Sequence, residues 1–147
     1  MHHHPDAKAV VRALSPDEPV ICNRPHAAAR AARFFAENFP GKSMYAVKAN
    51  PSPDLLRILW DGGITHFDVA SIGEVRLVRE LLPQATLCFM HPVKTKSAIA
   101  EAYHANGVRT FSLDTHEELA KIVEATANED GGAAEDLNLL VRLRVSS

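Results

Sequence analysis

From Ser43 onward the chain alternates short apolar or β-branched runs with amphipathic segments, and this alternation limits the fold more than any other feature. The runs are Met44 to Ala49, His66 to Ala70, Thr86 to Met90, Arg109 to Leu113 and Leu137 to Val145. Between them, Asp54 to Trp60, Ile72 to Leu82, Lys96 to Ala105 and His116 to Ala127 place apolar residues at three- and four-residue spacing, as helices with one buried face do. Strands separated by helices in this way are parallel strands joined by crossovers. Ser71-x-x-Glu74 and Thr115-x-x-Glu118 are capping-box signatures that open two of the helices, and Gly62-Gly63 and Gly107 stand where helices should stop. The runs start about every 22 residues, with a longer step before the last, a spacing shared by (β/α) barrels and open doubly wound sheets. No Gly-x-Gly-x-x-Gly follows the first run and no Walker sequence occurs, so the usual phosphate cradles of open sheets are missing and the barrel is favoured. The expected fold is α/β: an incomplete (β/α) barrel of about five parallel strands.

Residues 1–24 are expected to form an N-terminal arm with a strand at Pro19 to Asn23, and residues 25–147 the barrel portion. The latter opens with a helix from Pro25 to Asn38, whose alanines, Phe34 and Phe35 form one apolar face, and Phe39-Pro40-Gly41 ends it. Asn128 to Asp136, acidic and glycine-containing, reads as a solvent loop. With 46% hydrophobic and 23% charged residues, 147 residues suffice for one domain with a real core. A net charge of -2, without a basic cluster, argues against a nucleic-acid partner. No apolar run approaches the roughly 20 residues of a membrane span, and the start of the chain lacks the parts of a signal peptide, so no membrane partner and a cytoplasmic location are expected. Cys22 and Cys88 read as buried free thiols in apolar strands. The triple histidine at the start reads as a solvated tail, and the other histidines show no metal-ligand spacing, so no metal site is expected.

Ser43-Met44-Tyr45-Ala46-Val47-Lys48-Ala49-Asn50 reads as a buried strand that carries one amine at its end. Burial favours the neutral form of lysine, which is a nucleophile; at the ordinary pKa of about 10.4 only roughly one amine in a few thousand is free near pH 7. The alternative is a lysine that snorkels to solvent. In a (β/α) barrel the chemistry sits at the C-terminal strand ends, and there the polar residues gather. Lys48 ends the first strand, Asp68 lies late in the second with Ser71 beyond it, His91 follows the third and Asp114 the fourth. Arg142, Arg144 and Ser146 share a face of the fifth by period-two alternation. Asp114 and Ser71 could equally be plain helix caps, His91 before Pro92 a turn residue, and the arginines solvent-facing. Asp68, among apolar neighbours, needs a cation or a hydrogen-bond donor, and Arg142 is the expected cation.

Tyr45-Ala46-Val47-Lys48-Ala49-Asn50, Phe67-Asp68-Val69-Ala70-Ser71 with Glu74, and Phe89-Met90-His91-Pro92-Val93-Lys94 together resemble the ornithine/lysine decarboxylase branch of the PLP-dependent decarboxylases of the alanine-racemase fold. The resemblance runs from about Val20 to the end. Val-Lys-Ala-Asn alone would be shared with alanine racemases and diaminopimelate decarboxylases, whereas Pro51-Ser52-Pro53 departs from the Ala-Tyr-Gly that follows the lysine in typical alanine racemases.

The resemblance implies pyridoxal 5'-phosphate in Schiff-base linkage to Lys48, with Asp68 and Arg142 in the polar network around the cofactor, His91 near its edge and Glu74 in support. It implies decarboxylation of a small basic amino acid, L-ornithine to putrescine first, in polyamine biosynthesis, by an enzyme that is a homodimer at full length. The family's barrel has eight strands followed by a β-domain, so the chain is expected to be a fragment, inactive alone, that lacks the ring-stacking histidine, the phosphate loop and the residues lent by a second subunit. Two alternatives stand beside this reading: a non-catalytic regulator or PLP-binding homeostasis protein of the same fold, and a Schiff-base lysine working without PLP as in class I aldolases.

Overall fold

The computed structural model describes residues 3–128 and 130–145. Five parallel strands form one sheet: β1 (Met44–Ala46), β2 (His66–Val69), β3 (Thr86–Phe89), β4 (Thr110–Leu113) and β5 (Asn138–Val141). Their spatial order is β1-β2-β3-β4-β5. Strands that follow one another in space as they do in sequence, with no reversal point, form a segment of a barrel wall, whereas a doubly wound sheet reverses its order. Topology thus decides what spacing alone left open.

The crossovers are helical: α3 (Pro53–Asp61), α4 (Ile72–Leu81), α5 (Lys96–Ala100) and α6 (His116–Ala125). They cover one face of the sheet, where Phe67, Val69, Leu87, Phe89, Phe111 and Leu113 meet Leu56, Val75, Val78, Ile99 and Ile122. These strand residues alternate along each strand, as a pleated sheet requires of its covered face. Full burial of such side chains contributes about 1.5–3 kcal/mol each. Ser71 and Thr115 cap α4 and α6 by accepting from the N–H groups of Glu74 and Glu118. The Glu74 carboxylate reaches back to the Ala70 N–H at 2.8 Å and satisfies another orphan donor at that helix start.

Before the sheet lie α1 (Ala7–Leu14) and α2 (Pro25–Asn38). The latter has the bounds expected from its sequence. It packs on α3 through Ala32, Leu59 and Ile64, so closely that a Cβ on Gly62 would lie 2.5 Å from the Ala32 Cβ.

Several expectations are corrected. β1 stops at Ala46, and Val47–Ala49 forms a 3-10 turn. The reason is local: Tyr45 donates its hydroxyl to the Asn50 carbonyl, Asn50 accepts from the Ser52 N–H, and an edge strand paired on one side has little to resist the turn. At the opposite edge, β5 ends at Val141, and the last ladder bond runs from the Arg142 N–H to the Leu113 carbonyl at 2.8 Å. The expected helix Lys96 to Ala105 widens to a π-turn over Glu101–Ala105, where the Asn106 N–H reaches the Glu101 carbonyl. The expected strand at Pro19 to Asn23 does not form, because those residues pair with no strand, and Cys22 is exposed rather than buried. Helix α1, absent from the sequence reading, is capped by Asp6 and buries no residue. No helix among the described residues is long and apolar enough to cross a membrane.

Candidate active site

The sheet has a second face. Register places Ala46, Asp68, Cys88, Thr110 and Asn138 in one row across the five strands, opposite the face that carries Phe67, Phe89 and Phe111. At or just past the C-terminal strand ends stand Lys48, Ser71, His91, Asp114 and Arg142. Parallel strands bring their C-terminal ends to the same rim, which is why residues far apart in sequence gather there.

Asp68 is half-buried, and burial pushes its carboxyl above the ordinary aspartate value, while the charges of Lys48 and Arg142 pull against that rise. Both cations therefore act on the one carboxylate. Neither closes an ion pair with it at contact distance among the described residues, so the expected Asp68–Arg142 pairing is a matter of field rather than contact. Below the rim, burial pushes the Cys88 thiol up, with the Asp68 carboxylate acting in the same direction.

Lys48 is exposed, in the 3-10 turn that follows β1. The expected buried strand amine is thus corrected: the chain turns before Lys48, and nothing on the open face covers that side chain. The basis for its chemistry is therefore position, at a strand end with Asp68 and Arg142 in range, rather than desolvation. His91 is exposed at the end of β3, and Asp114 and Arg144 are exposed as well. Ser71 serves as the α4 cap, and Ser146 lies outside the described residues.

One constellation escaped the sequence reading. The Lys94 side chain is 0% exposed and the Glu118 side chain 6%. The Lys94 ammonium donates to the backbone carbonyls of His91 (2.9 Å), Pro92 (3.0 Å) and Ser112 (2.6 Å), and lies 3.6 Å from Glu118 Oε2. Burial pushes the Lys94 amine below the ordinary lysine value and the Glu118 carboxylate pulls against that fall, while the three carbonyl acceptors match the three N–H donors of the ammonium form. Burial pushes Glu118 upward, but its hydrogen bonds with Lys121 and with the Lys94 backbone, and the two ammonium charges, outweigh that and hold its carboxyl below the ordinary glutamate value. Lys121 completes the group by bonding both Glu118 and the Lys94 carbonyl. The one sequence clue was a lysine two residues past Pro92 beside an apolar strand.

Residues 26–147 match the family model described as pyridoxal-dependent decarboxylase, pyridoxal binding domain. The chain belongs to this family. Among curated relatives, the lysine/ornithine decarboxylase of Selenomonas ruminantium is 38% identical over 87 residues, 58% of this chain and 22% of that protein. Antizyme inhibitor 2 of Homo sapiens is 33% identical over 85 residues, 57% of this chain and 18% of that protein. The chain thus spans about a fifth of the length of these relatives. Among solved structures, lysine decarboxylase from Selenomonas ruminantium aligns with a TM-score of 0.74 at 27% identity, over 97% of this chain and 37% of that one. An SrLDC mutant in complex with PLP aligns with a TM-score of 0.76 at 29% identity, over 97% of this chain and 35% of that one. The family is that of pyridoxal 5'-phosphate enzymes, and its barrel is represented here by five of its strands.

The donor set suits that cofactor. An aldehyde needs a primary amine, and Lys48 offers one at the rim; anionic and pyridine groups need cations and hydrogen-bonding partners, and Arg142 and Asp68 lie within electrostatic range of each other there, with His91 exposed just past the end of β3.

Proposed function

We propose that this chain is the lysine-bearing part of a PLP-dependent decarboxylase of small basic amino acids, with L-ornithine as first substrate and lysine as second. The observation that carries this reading is the convergence of Lys48, Asp68 and Arg142 at one rim of a parallel sheet, on the face without helices. When bound, the cofactor supplies an electron sink for the bond to the departing carboxylate. The chain's own residues hold and orient. Lys48 anchors the aldehyde through its amine, Arg142 and His91 present cationic and hydrogen-bonding groups, and Asp68 balances the two cations. Glu74, bonded to the Ala70 N–H, keeps the β2–α4 turn and thus the end of β2 in place. On this reading the chain works in the cytoplasm as part of a homodimer in polyamine synthesis, and by itself releases no carbon dioxide from ornithine.

Borohydride reduction of the chain incubated with PLP, followed by peptide mapping, tests the assignment. Lys48 should carry the reduced cofactor, and Lys48→Ala should remove that label without lowering the melting temperature. Label spread evenly over exposed lysines would sink the proposal.

A second reading, a non-catalytic regulator, is favoured by the similarity to antizyme inhibitor 2. The same experiment separates the two, because that reading predicts no selective label on Lys48.

A further inference from the structure

Among the described residues, the buried polar or charged side chains are Lys94, Ser112, Glu118 and Thr126, and three of these belong to one cluster at the C-terminal ends of β3 and β4. A buried ion pair is an inefficient source of stability, since well-packed apolar residues of similar volume commonly do as well or better. What an ammonium does that a methyl group cannot is fix direction. The Lys94 donors meet two successive carbonyls of one turn, those of His91 and Pro92, and one carbonyl of the neighbouring strand, that of Ser112. Ser112 adds a second stitch beside the first by donating its hydroxyl to the Met90 carbonyl at 2.6 Å. Glu118, on α6, lies 3.6 Å from the ammonium through Oε2 and accepts from the Lys94 N–H at 3.4 Å through Oε1, and Lys121 of the same helix bonds both Glu118 and the Lys94 carbonyl. The turn between β3 and α5 is thereby tied to the end of β4 and to α6. The turn presents His91 and Val93 to solvent, and His91 is its polar side chain there.

We propose that Lys94 is a positioning residue: its buried side chain holds the His91–Pro92 turn against β4 and so fixes where His91 stands at the C-terminal strand ends, the rim that also carries Lys48 and Asp68. The inference rests on the assignment of that rim as the cofactor site, and it gives the lysine of the third motif a role distinct from that of Lys48. Residues that fix the orientation of a binding group act through the group they hold, and their loss is felt as looseness at the site.

The test uses the full chain with Lys94→Met paired with Glu118→Gln, which removes the tether and leaves neither Lys94 nor Glu118 as a lone buried charge, while Lys121, 25% exposed, keeps access to solvent. Three measurements follow. In the absence of cofactor, the amides at positions 90 and 94, which bond the Val69 carbonyl and Glu118, should exchange hydrogen at least about tenfold faster than in the unsubstituted chain, while the Phe111 amide keeps its rate. PLP affinity should fall about tenfold, His91→Ala should cause the same loss, and the combined variant should lose no more than either alone. In the unsubstituted chain, the Lys94 ammonium protons should remain visible by nitrogen-edited NMR under conditions where those of exposed lysines exchange away, a measurement that holds even if the double variant unfolds. Unchanged exchange at positions 90 and 94, additive losses of affinity, or a Lys94 ammonium signal that vanishes with the others would each overturn the proposal. Failure of borohydride to fix PLP on Lys48 in the unsubstituted chain would instead remove the cofactor assignment, and the exchange rates would still judge the tether.

Discussion

The two faces of the sheet differ sharply although they are built from the same strands. On the helix side, Phe67 and Phe111 are fully buried and Phe89 nearly so, and they meet apolar side chains from α3 to α6. On the other side, only the centre is covered, at Cys88 and Ser112, and the rim carries exposed Lys48, His91, Asp114 and Arg142 around a half-buried Asp68. One face removes apolar surface from water and supplies stability. Its opposite carries exposed charge at the rim and, on the proposed reading, supplies the chemistry. Strand alternation lets both properties coexist, because neighbouring residues in the chain point to different environments.

If that division holds, substitutions on the two faces should separate cleanly. Phe111→Ala should lower the unfolding free energy in urea by about 3–5 kcal/mol, from lost transfer energy and a residual cavity. Arg142→Ala should stay within about 0.5 kcal/mol of the parent in the same experiment. Equal losses would break the comparison. A smaller effect is expected where α2 meets α3: Gly62→Ala would place a Cβ 2.5 Å from that of Ala32, with the Ile58 carbonyl at 3.2 Å, and backbone must move to admit it. A loss of about 1–3 kcal/mol is expected there, and a thermal melt would show it.

The smallest effect sharpens the comparison from the chemical side. Asp68 has its carboxyl raised by burial, so the folded chain holds that proton to higher pH than the unfolded chain does. Its contribution to stability therefore declines as pH climbs from the ordinary aspartate value through the raised one, and the penalty persists at neutral pH. Asp68→Asn should raise the melting temperature slightly at neutral pH and lose that advantage in strong acid. A variant less stable than the parent at neutral pH would show that Lys48 and Arg142 outweigh burial.

Most of the fold was legible where packing is symmetrical. The ends of β2, β3 and β4 fall within a residue of the expected ones, because each is flanked by strands on both sides and its covered face repeats every second residue. Both edge strands were read too long. Apolar composition at Val47 and at Leu143 to Val145 says that a strand is possible, but a ladder also needs a partner, and β1 and β5 have one neighbour each. Helix α1 was missed for the converse reason: its support is a cap and local periodicity, with no buried face. Glu118 was legible as a capping-box residue, but only half of that reading describes it. Its N–H bonds the Thr115 hydroxyl as a cap should, whereas its carboxylate turns inward to Lys94 and Lys121.

The amino-acid order by itself determined the five strands of the sheet, which of their residues face helices, and that Lys48, Asp68, His91 and Arg142 lie at or near strand ends, whereas the strand it suggested at Pro19 to Asn23 finds no partner. These follow from short-range rules of periodicity, capping and turn chemistry. Only the tertiary structure decided which lysine is buried. Lys48, expected inside, lies in solvent, and Lys94, given no role by the sequence, is enclosed by carbonyls of residues 91, 92 and 112 and a carboxylate from residue 118. The solvation of a charge is set by the groups that surround it in space, and those groups are distant in sequence.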